Sequence, residues 1–286
     1  MHILQSAKNL VALKSMLHRE LPQSMSVYGG LLHIMNNNRC HLEMCVDSWP
    51  DFSTVICRRQ KQVLSSHHKI LPNLCTLFTK DVASMRTMLM DDRVISWKKE
   101  IIMSAIPSYC SGVIQEIASS NGMEVEKNVP LNLCIQNNPK YMEYGGSELA
   151  SKISSLNVSH AELVCSHLAF GGNKLTLNHV RSCIQNLPSC CILDEGGNPV
   201  SWSLMDELYS VRMGFTLPEY RKLGYIKTIT AVLVNKARSL GLPVYCHVHR
   251  MNKEMLHFLN SQDCTVYPEM YMLLFVTSRH QQGEPE

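Results

Sequence analysis

Ile3, Leu4, Ala7, Leu10, Val11, Lys14 and Leu17 fall at intervals of three and four. This spacing predicts a helix face ending before Leu21-Pro22. Three strand-like runs follow: Val27 to Met35, then Cys40 to Asp47 after the turn residues Asn36-Asn37-Asn38-Arg39, then Phe52 to Cys57. They read as an antiparallel meander. Residues 80–120 read as mostly helical, with Gly122 as a helix stop and Leu131 to Ile135 as a short strand. Residues 136–156 are polar, contain Pro139 and Gly145-Gly146, and form the best linker candidate. A C-terminal tail, SRHQQGEPE, is expected to be disordered.

Beyond the linker the pattern changes. A helix opens near Ser159 and a second spans Leu177 to Leu187. Strands follow at Cys190 to Asp194, Pro199 to Leu204 and Ser210 to Thr216, the first two joined by the turn Glu195-Gly196-Gly197-Asn198. A long helix from Lys222 to Leu240 is closed by Gly241. A strand at Pro243 to His249, a helix at Asn252 to Leu259 and a final strand region at Thr265 to Val276 complete the order α-α-β-β-β-α-β-α-β. Two domains are expected in 286 residues, 1–150 and 151–286, with an α/β (α+β) architecture.

Composition narrows the function classes. The 45% apolar and 18% charged content excludes global disorder. A net charge of +3 argues against a nucleic-acid binder living on phosphate contacts. The longest dense apolar stretch, Met270 to Val276, is far short of the roughly 18 residues of a membrane helix. Twelve cysteines are scattered with no C-x-x-C, so neither a structural zinc site nor a disulfide framework is expected. They read as buried, reduced thiols.

The informative segment is Thr216-Leu217-Pro218-Glu219-Tyr220-Arg221-Lys222-Leu223-Gly224-Tyr225-Ile226. It joins a strand to a long helix. The free N–H groups and positive dipole end of that helix suit a pyrophosphate, Gly224 permits close backbone approach, and Arg221 and Lys222 add positive charge. Alone, Arg-x-x-Gly is weak, since about 0.6 matches arise by chance in such a chain.

The surrounding strand-loop-helix-strand-helix order resembles the GNAT superfamily of acyl-CoA-dependent N-acyltransferases, with Ile226 where that pattern has Gly or Ala. More specific motifs resemble the glycine N-acyltransferase family: Asn198-Pro199-Val200-Ser201-Trp202-Ser203-Leu204-Met205-Asp206, Arg212-Met213, Thr216-Leu217-Pro218-Glu219-Tyr220-Arg221, Gly241-Leu242-Pro243-Val244-Tyr245, His247-Val248, and, near the N-terminus, Val46-Asp47-Ser48-Trp49-Pro50-Asp51-Phe52. The resemblance spans nearly the whole chain. It implies a GNAT-type fold, a mixed central sheet with flanking helices in two tandem GNAT-like halves, the first degenerate. It also implies amide formation from an acyl-CoA co-substrate and a small amino acid, glycine first, with no permanent cofactor; no metal is expected, because no set of ligands lies close in the sequence. A mitochondrial location follows from the founding member, with cytoplasm or endoplasmic reticulum as the other options for paralogues, and amino acid conjugation as the role. A monomer is expected, with no nucleic-acid partner and no membrane span.

The resemblance implies CoA contacts at Leu217, Arg221, Lys222, Gly224, Tyr225, Ile226 and Asn252. It also exposes a departure. The family's base is a glutamate two residues before the Arg of Arg-Met, and here that position is Ser210. Three readings stay open. Ser210 positions a proton relay; Asp206, Glu207 or His247 replaces the base; or the protein is a catalytically weak acyl-CoA binder. Strand alternation would set Ser210, Arg212 and Gly214 on one face, where Arg212 could pair an amino-acid carboxylate. Acylation of protein lysines is disfavoured by the lack of a charged tail. Phe258-Leu259 stands where GNAT proteins often carry a tyrosine acid.

Overall fold

The computed structural model describes residues 1–65, 71–137, 147–168 and 174–278. Residues 138–146 of the linker candidate, with Pro139 and Gly145-Gly146, and the tail beyond Ser278 lie outside the described residues. The chain divides into two compact units. The first holds Met1–Leu133, Val248–His257 and Val266–Glu286; the second holds Cys134–His247 and Phe258–Thr265.

The elements run β1 (His2–Leu4), α1 (Ala7–Arg19), α2 (Met25–Met35), β2 (Leu42–Val46), β3 (Thr54–Arg59), α3 (Lys61–Ser65), β4 (Leu74–Thr79), α4 (Val82–Leu89), β5 (Ile101–Pro107), α5 (Ser111–Ser120) and β6 (Met123–Gln136). They continue α6 (Ser147–Ala150), β7 (Ile153–Ser154), α7 (Ala161–Ser166), α8 (Lys174–Asn186), β8 (Ser189–Leu193), β9 (Pro199–Met205), β10 (Val211–Thr216), α9 (Tyr225–Ser239), β11 (Tyr245–His249), α10 (Lys253–Ser261) and β12 (Cys264–Ser278). Strands hydrogen-bond in two sets, ordered β1-β2-β3-β4-β5-β12-β6-β11 and β10-β9-β8-β7. The class is mixed α/β, as expected.

In the first unit β1 to β4 pair antiparallel, and β4 then pairs parallel with β5 across α4. The first predicted helix therefore loses Ile3 and Leu4 to β1. The larger correction is α2. Val27 to Met35 is a helix, not a strand. Every residue from Met25 to His33 is buried, and a continuous apolar run carries no period that separates a buried helix from a buried strand. The Ser24 hydroxyl donates to the Leu17 carbonyl at 2.6 Å, fixing the corner between α1 and α2. The helical reading of 80–120 is corrected likewise, because β5 lies between α4 and α5. The motif Val46-Asp47-Ser48-Trp49-Pro50-Asp51-Phe52 forms the turn between β2 and β3. Its Asp47 carboxylate accepts the N–H groups of Ser53 and Thr54 and the Ser84 hydroxyl.

In the second unit the predicted order stands, with the short α6 and β7 added ahead of it. Ile229 and Leu233 of α9 pack on Cys190, Ile192 and Val200 of the β8-β9 hairpin. Trp202 is fully buried in β9 and lies against Phe215 of β10. All twelve cysteines are free, and ten are buried. Burial raises the thiols of Cys75, Cys110 and Cys190 to about 12, so these act as small apolar packing groups. No described helix is long and apolar enough to cross a membrane.

Candidate active site

The turn from β9 to β10 is organised by one carboxylate. Asp206 Oδ1 accepts the N–H groups of Leu208 and Ser210, each at 3.0 Å, and the Asp206 N–H donates to the Ser210 carbonyl at 3.0 Å. Short acidic side chains close turns in this way. Tyr209 takes φ 59° within the turn, and the Tyr245 hydroxyl donates to the Leu208 carbonyl. Arg212 Nη1 lies 3.4 Å from Asp206 Oδ2. Burial raises the Asp206 carboxyl to about 6, against the opposing pull of Arg212.

Ser210 is fully buried, and its Oγ lies 3.3 Å from His247 Nδ1. Two residues that are far apart in sequence thus meet. Burial, and then the Arg212 charge, push the His247 imidazole down to about 3. It stays neutral at physiological pH, a proton acceptor rather than a cation. Since the folded value lies below the unfolded value of about 6.5, stability falls as pH drops through the window from 6.5 towards 3. Between pH 7 and pH 5 the wild type should lose about 1–2 kcal/mol more than His247→Gln. Thermal melts of both proteins across that range check this, and parallel pH curves would contradict it.

Ser210 precedes β10 rather than opening it, which corrects the predicted strand. The alternation expected through Gly214 also fails. Val211 and Arg212 pair with Met205 and Leu204, but Phe215 and Thr216 pair with Trp202 and Ser201. One extra residue has therefore entered, so Met213 and Gly214 oppose Ser203 in a bulge, with Met213 at φ 55°. Among the described residues β10 is also the outer strand of its sheet, with β9 on one side.

The loop after β10 makes a single 3-10 turn, Pro218–Tyr220, and enters α9 through Gly224 at φ 78°. No side chain caps that helix, so its first N–H groups face outward. Lys222 is exposed at φ 65°. Arg221 donates from Nε to the Thr216 carbonyl at 3.2 Å and lies over the Phe215 ring. That holds its cation at the loop. Leu217, Tyr225 and Ile226 pack against the hairpin core. The Ile226 Cδ1 lies 3.5 Å from the place a Cβ would take on Gly214, so its bulk is directed to the sheet. Asn252 belongs to the first unit, where its Oδ1 caps α10 by accepting the Met255 N–H at 3.1 Å. Tyr245 escaped the sequence reading; its position two residues before His247 on a strand was the available signal.

A strand bulge, an anion-ready helix start and a pair made of a buried serine and a partly exposed histidine lie in this unit. Sequence comparison decides what they serve. Residues 1–188 match the family described as aralkyl acyl-CoA:amino acid N-acyltransferase, and residues 190–272 match that family's C-terminal region. The chain belongs to this aralkyl acyl-CoA:amino acid N-acyltransferase family. The N-acyltransferase is 34% identical over 268 residues to glycine N-phenylacetyltransferase of Bos taurus, covering 87% of this chain and 90% of the relative. It is 34% identical over 269 residues to glycine N-acyltransferase of Homo sapiens, covering 88% and 90%. Its fold matches an X-ray structure of a Drosophila protein with TM-score 0.73 at 13% identity, covering 96% of this chain and 97% of the other. The N-acyltransferase thus shares the fold of that Drosophila protein. It transfers an acyl group from acyl-CoA, its co-substrate, to an amino-acid amine.

Proposed function

We propose that this N-acyltransferase acylates glycine and moves the amine proton through Ser210 and His247. The 3.3 Å contact between Ser210 Oγ and His247 Nδ1 is the observation that supports this path. The CoA pyrophosphate would sit on the start of α9, beside Arg221 and Lys222. The pantetheine would run along the outer edge of β10, where a strand N–H near the Met213 bulge meets the thioester oxygen.

Glycine nitrogen attacks the thioester carbonyl in its free-base form. The carbon becomes tetrahedral, the oxygen gains negative charge and the nitrogen gains positive charge. A nitrogen in that state is far more acidic than a free ammonium, so a weak neutral base suffices. The proton passes to the Ser210–His247 pair as the carbonyl reforms. The carbon–sulfur bond breaks, the CoA thiolate takes up a proton from solvent, and the Ser210–His247 pair returns its proton to solvent. The products are N-acylglycine and CoA thiol. Asp206 holds Ser210 in place through its N–H.

Arg212 keeps donors beyond its contact with Asp206, and its side chain is partly exposed. In this reading it pairs the glycine carboxylate. Arg212→Ala should raise the glycine KM at least tenfold, with a much smaller change for acyl-CoA; an unchanged glycine KM would overturn that role. Thiol release from a panel of acyl-CoAs and amino acids tests the whole reading. Glycine-dependent release supports it, whereas retained acyl-CoA binding with no turnover would instead mark a weak binder.

We also propose a mitochondrial location, a monomer and a role in amino acid conjugation. The apolar face of α1, with Leu10, Leu13 and Leu17, is buried in the first unit. Any address read from α1 would therefore be part of the fold. Subcellular fractionation and sizing of the native protein test these two assignments.

A further inference from the structure

The second unit brings together three metal-ligating side chains that the acyl-transfer site does not use. His179 and Cys183 are four residues apart on α8, so both face one side of the helix. Glu207 lies across from them in the turn after β9. Cys183 and Glu207 are buried, and His179 is nearly so. His179 Nδ1 lies 3.6 Å from Glu207 Oε1. Cys183 Sγ lies 3.9 Å from Glu207 Oε2 and 3.8 Å from His179 Nε2. All three ligand atoms fall within 4.8 Å of one another.

Taken from one nitrogen, Nδ1, the separations are 3.6 Å to Glu207 Oε1 and 4.0 Å to Cys183 Sγ, somewhat longer than a tetrahedron's edges. A Zn2+ ion bound at about 2.3 Å to sulfur and about 2.0–2.1 Å to nitrogen and oxygen sets its ligands roughly 3.3–3.8 Å apart. Side-chain rotation must draw the three ligand atoms, all within 4.8 Å of one another, inward to reach those edges. The chemistry agrees with the geometry. Thiolate and imidazole exclude calcium and magnesium, which take oxygen ligands, and favour a borderline-soft divalent ion.

We propose that His179, Cys183 and Glu207 form a Zn2+ site, with water at the fourth corner on the partly exposed His179 side. Binding displaces the Cys183 thiol proton to solvent and leaves a zinc-thiolate. The ion would tie α8 to the turn that begins at Asp206. Its role is structural, holding the segment on which Ser210 is mounted. The sequence expectation of no metal site rested on close Cys and His pairs. This one escapes that search because its third ligand comes from another element.

Metal-stripped, reduced protein titrated with Co2+ tests the site. One equivalent should bind with a thiolate-to-cobalt charge-transfer band and tetrahedral visible bands, and Zn2+ should displace it and raise Tm. Cys183→Ser should abolish the charge-transfer band. His179→Asn, at the least buried ligand, should weaken cobalt binding at least tenfold while its apo melting curve matches the wild type. Absence of the band in the wild type would overturn the proposal. So would an undiminished band in both variants, which would mean an adventitious ion only, held by the other thiols.

Discussion

Replacing His247 with alanine is expected to lower kcat about 100-fold while the acyl-CoA KM changes less than threefold. The rate effect follows from losing the acceptor at the end of the proton path, since a positioned acid–base group contributes about 10²–10⁴-fold. The binding of acyl-CoA should survive because the loop from Arg221 to Ile226 makes its contacts elsewhere: Arg221 to the Thr216 carbonyl, Ile226 to the hairpin core. His247→Asn separates two roles. Its amide keeps a hydrogen-bonding partner for the Ser210 hydroxyl but cannot accept the proton. It should therefore match the alanine variant in kcat and the wild type in melting temperature. Steady-state kinetics in both substrates, with melts of each variant, decide the matter. A kcat within twofold of wild type in both variants would remove His247 from the path.

The second unit was legible because its signals are local. The Glu195-Gly196-Gly197-Asn198 turn sits between two apolar runs of strand length, and Gly241 follows a helical period that it ends at φ 66°. The first unit was less so. α2 from Met25 to His33 and nearly all of β5 are buried, largely apolar runs, and such runs have little polar face to report a period. Tertiary burial, not local pattern, chose helix for one and strand for the other.

The candidate site divides in the same way. The loop from Thr216 to Ile226 could be read directly, because a helix start that holds an anion is built from consecutive residues. The Ser210–His247 contact could not, since it joins a turn to a strand beyond α9. Nor could the bulge at Met213, which depends on pairing with β9. The organising role of Asp206 lay between these limits. An acidic residue closing its own turn is a local motif, but its pairing with Arg212 is set by the strand that follows.

Ser210→Glu, the substitution that restores the family's residue, is expected to reduce kcat/KM more than tenfold rather than raise it. Ser210 is fully buried, with its N–H and carbonyl both engaged by Asp206. A longer side chain must enter space shared with His247 and break the hydroxyl contact to Nδ1. It also brings a new carboxylate next to Asp206, whose acid is already raised to about 6, and two neighbouring carboxylates resist joint ionisation. The new glutamate would therefore be partly protonated near neutral pH, a poor base in a crowded position. Arg212, which lies 3.4 Å from Asp206, would be shared between them and drawn from the glycine carboxylate, so the glycine KM should rise as well. Ser210→Ala provides the comparison, because it removes the hydroxyl without adding bulk or charge and should lose less activity. The order wild type, then Ser210→Ala, then Ser210→Glu in kcat/KM for glycine is the predicted result. Greater activity in Ser210→Glu than in the wild type would show that the serine is a defect in a glutamate-based site and would overturn the Ser210–His247 path.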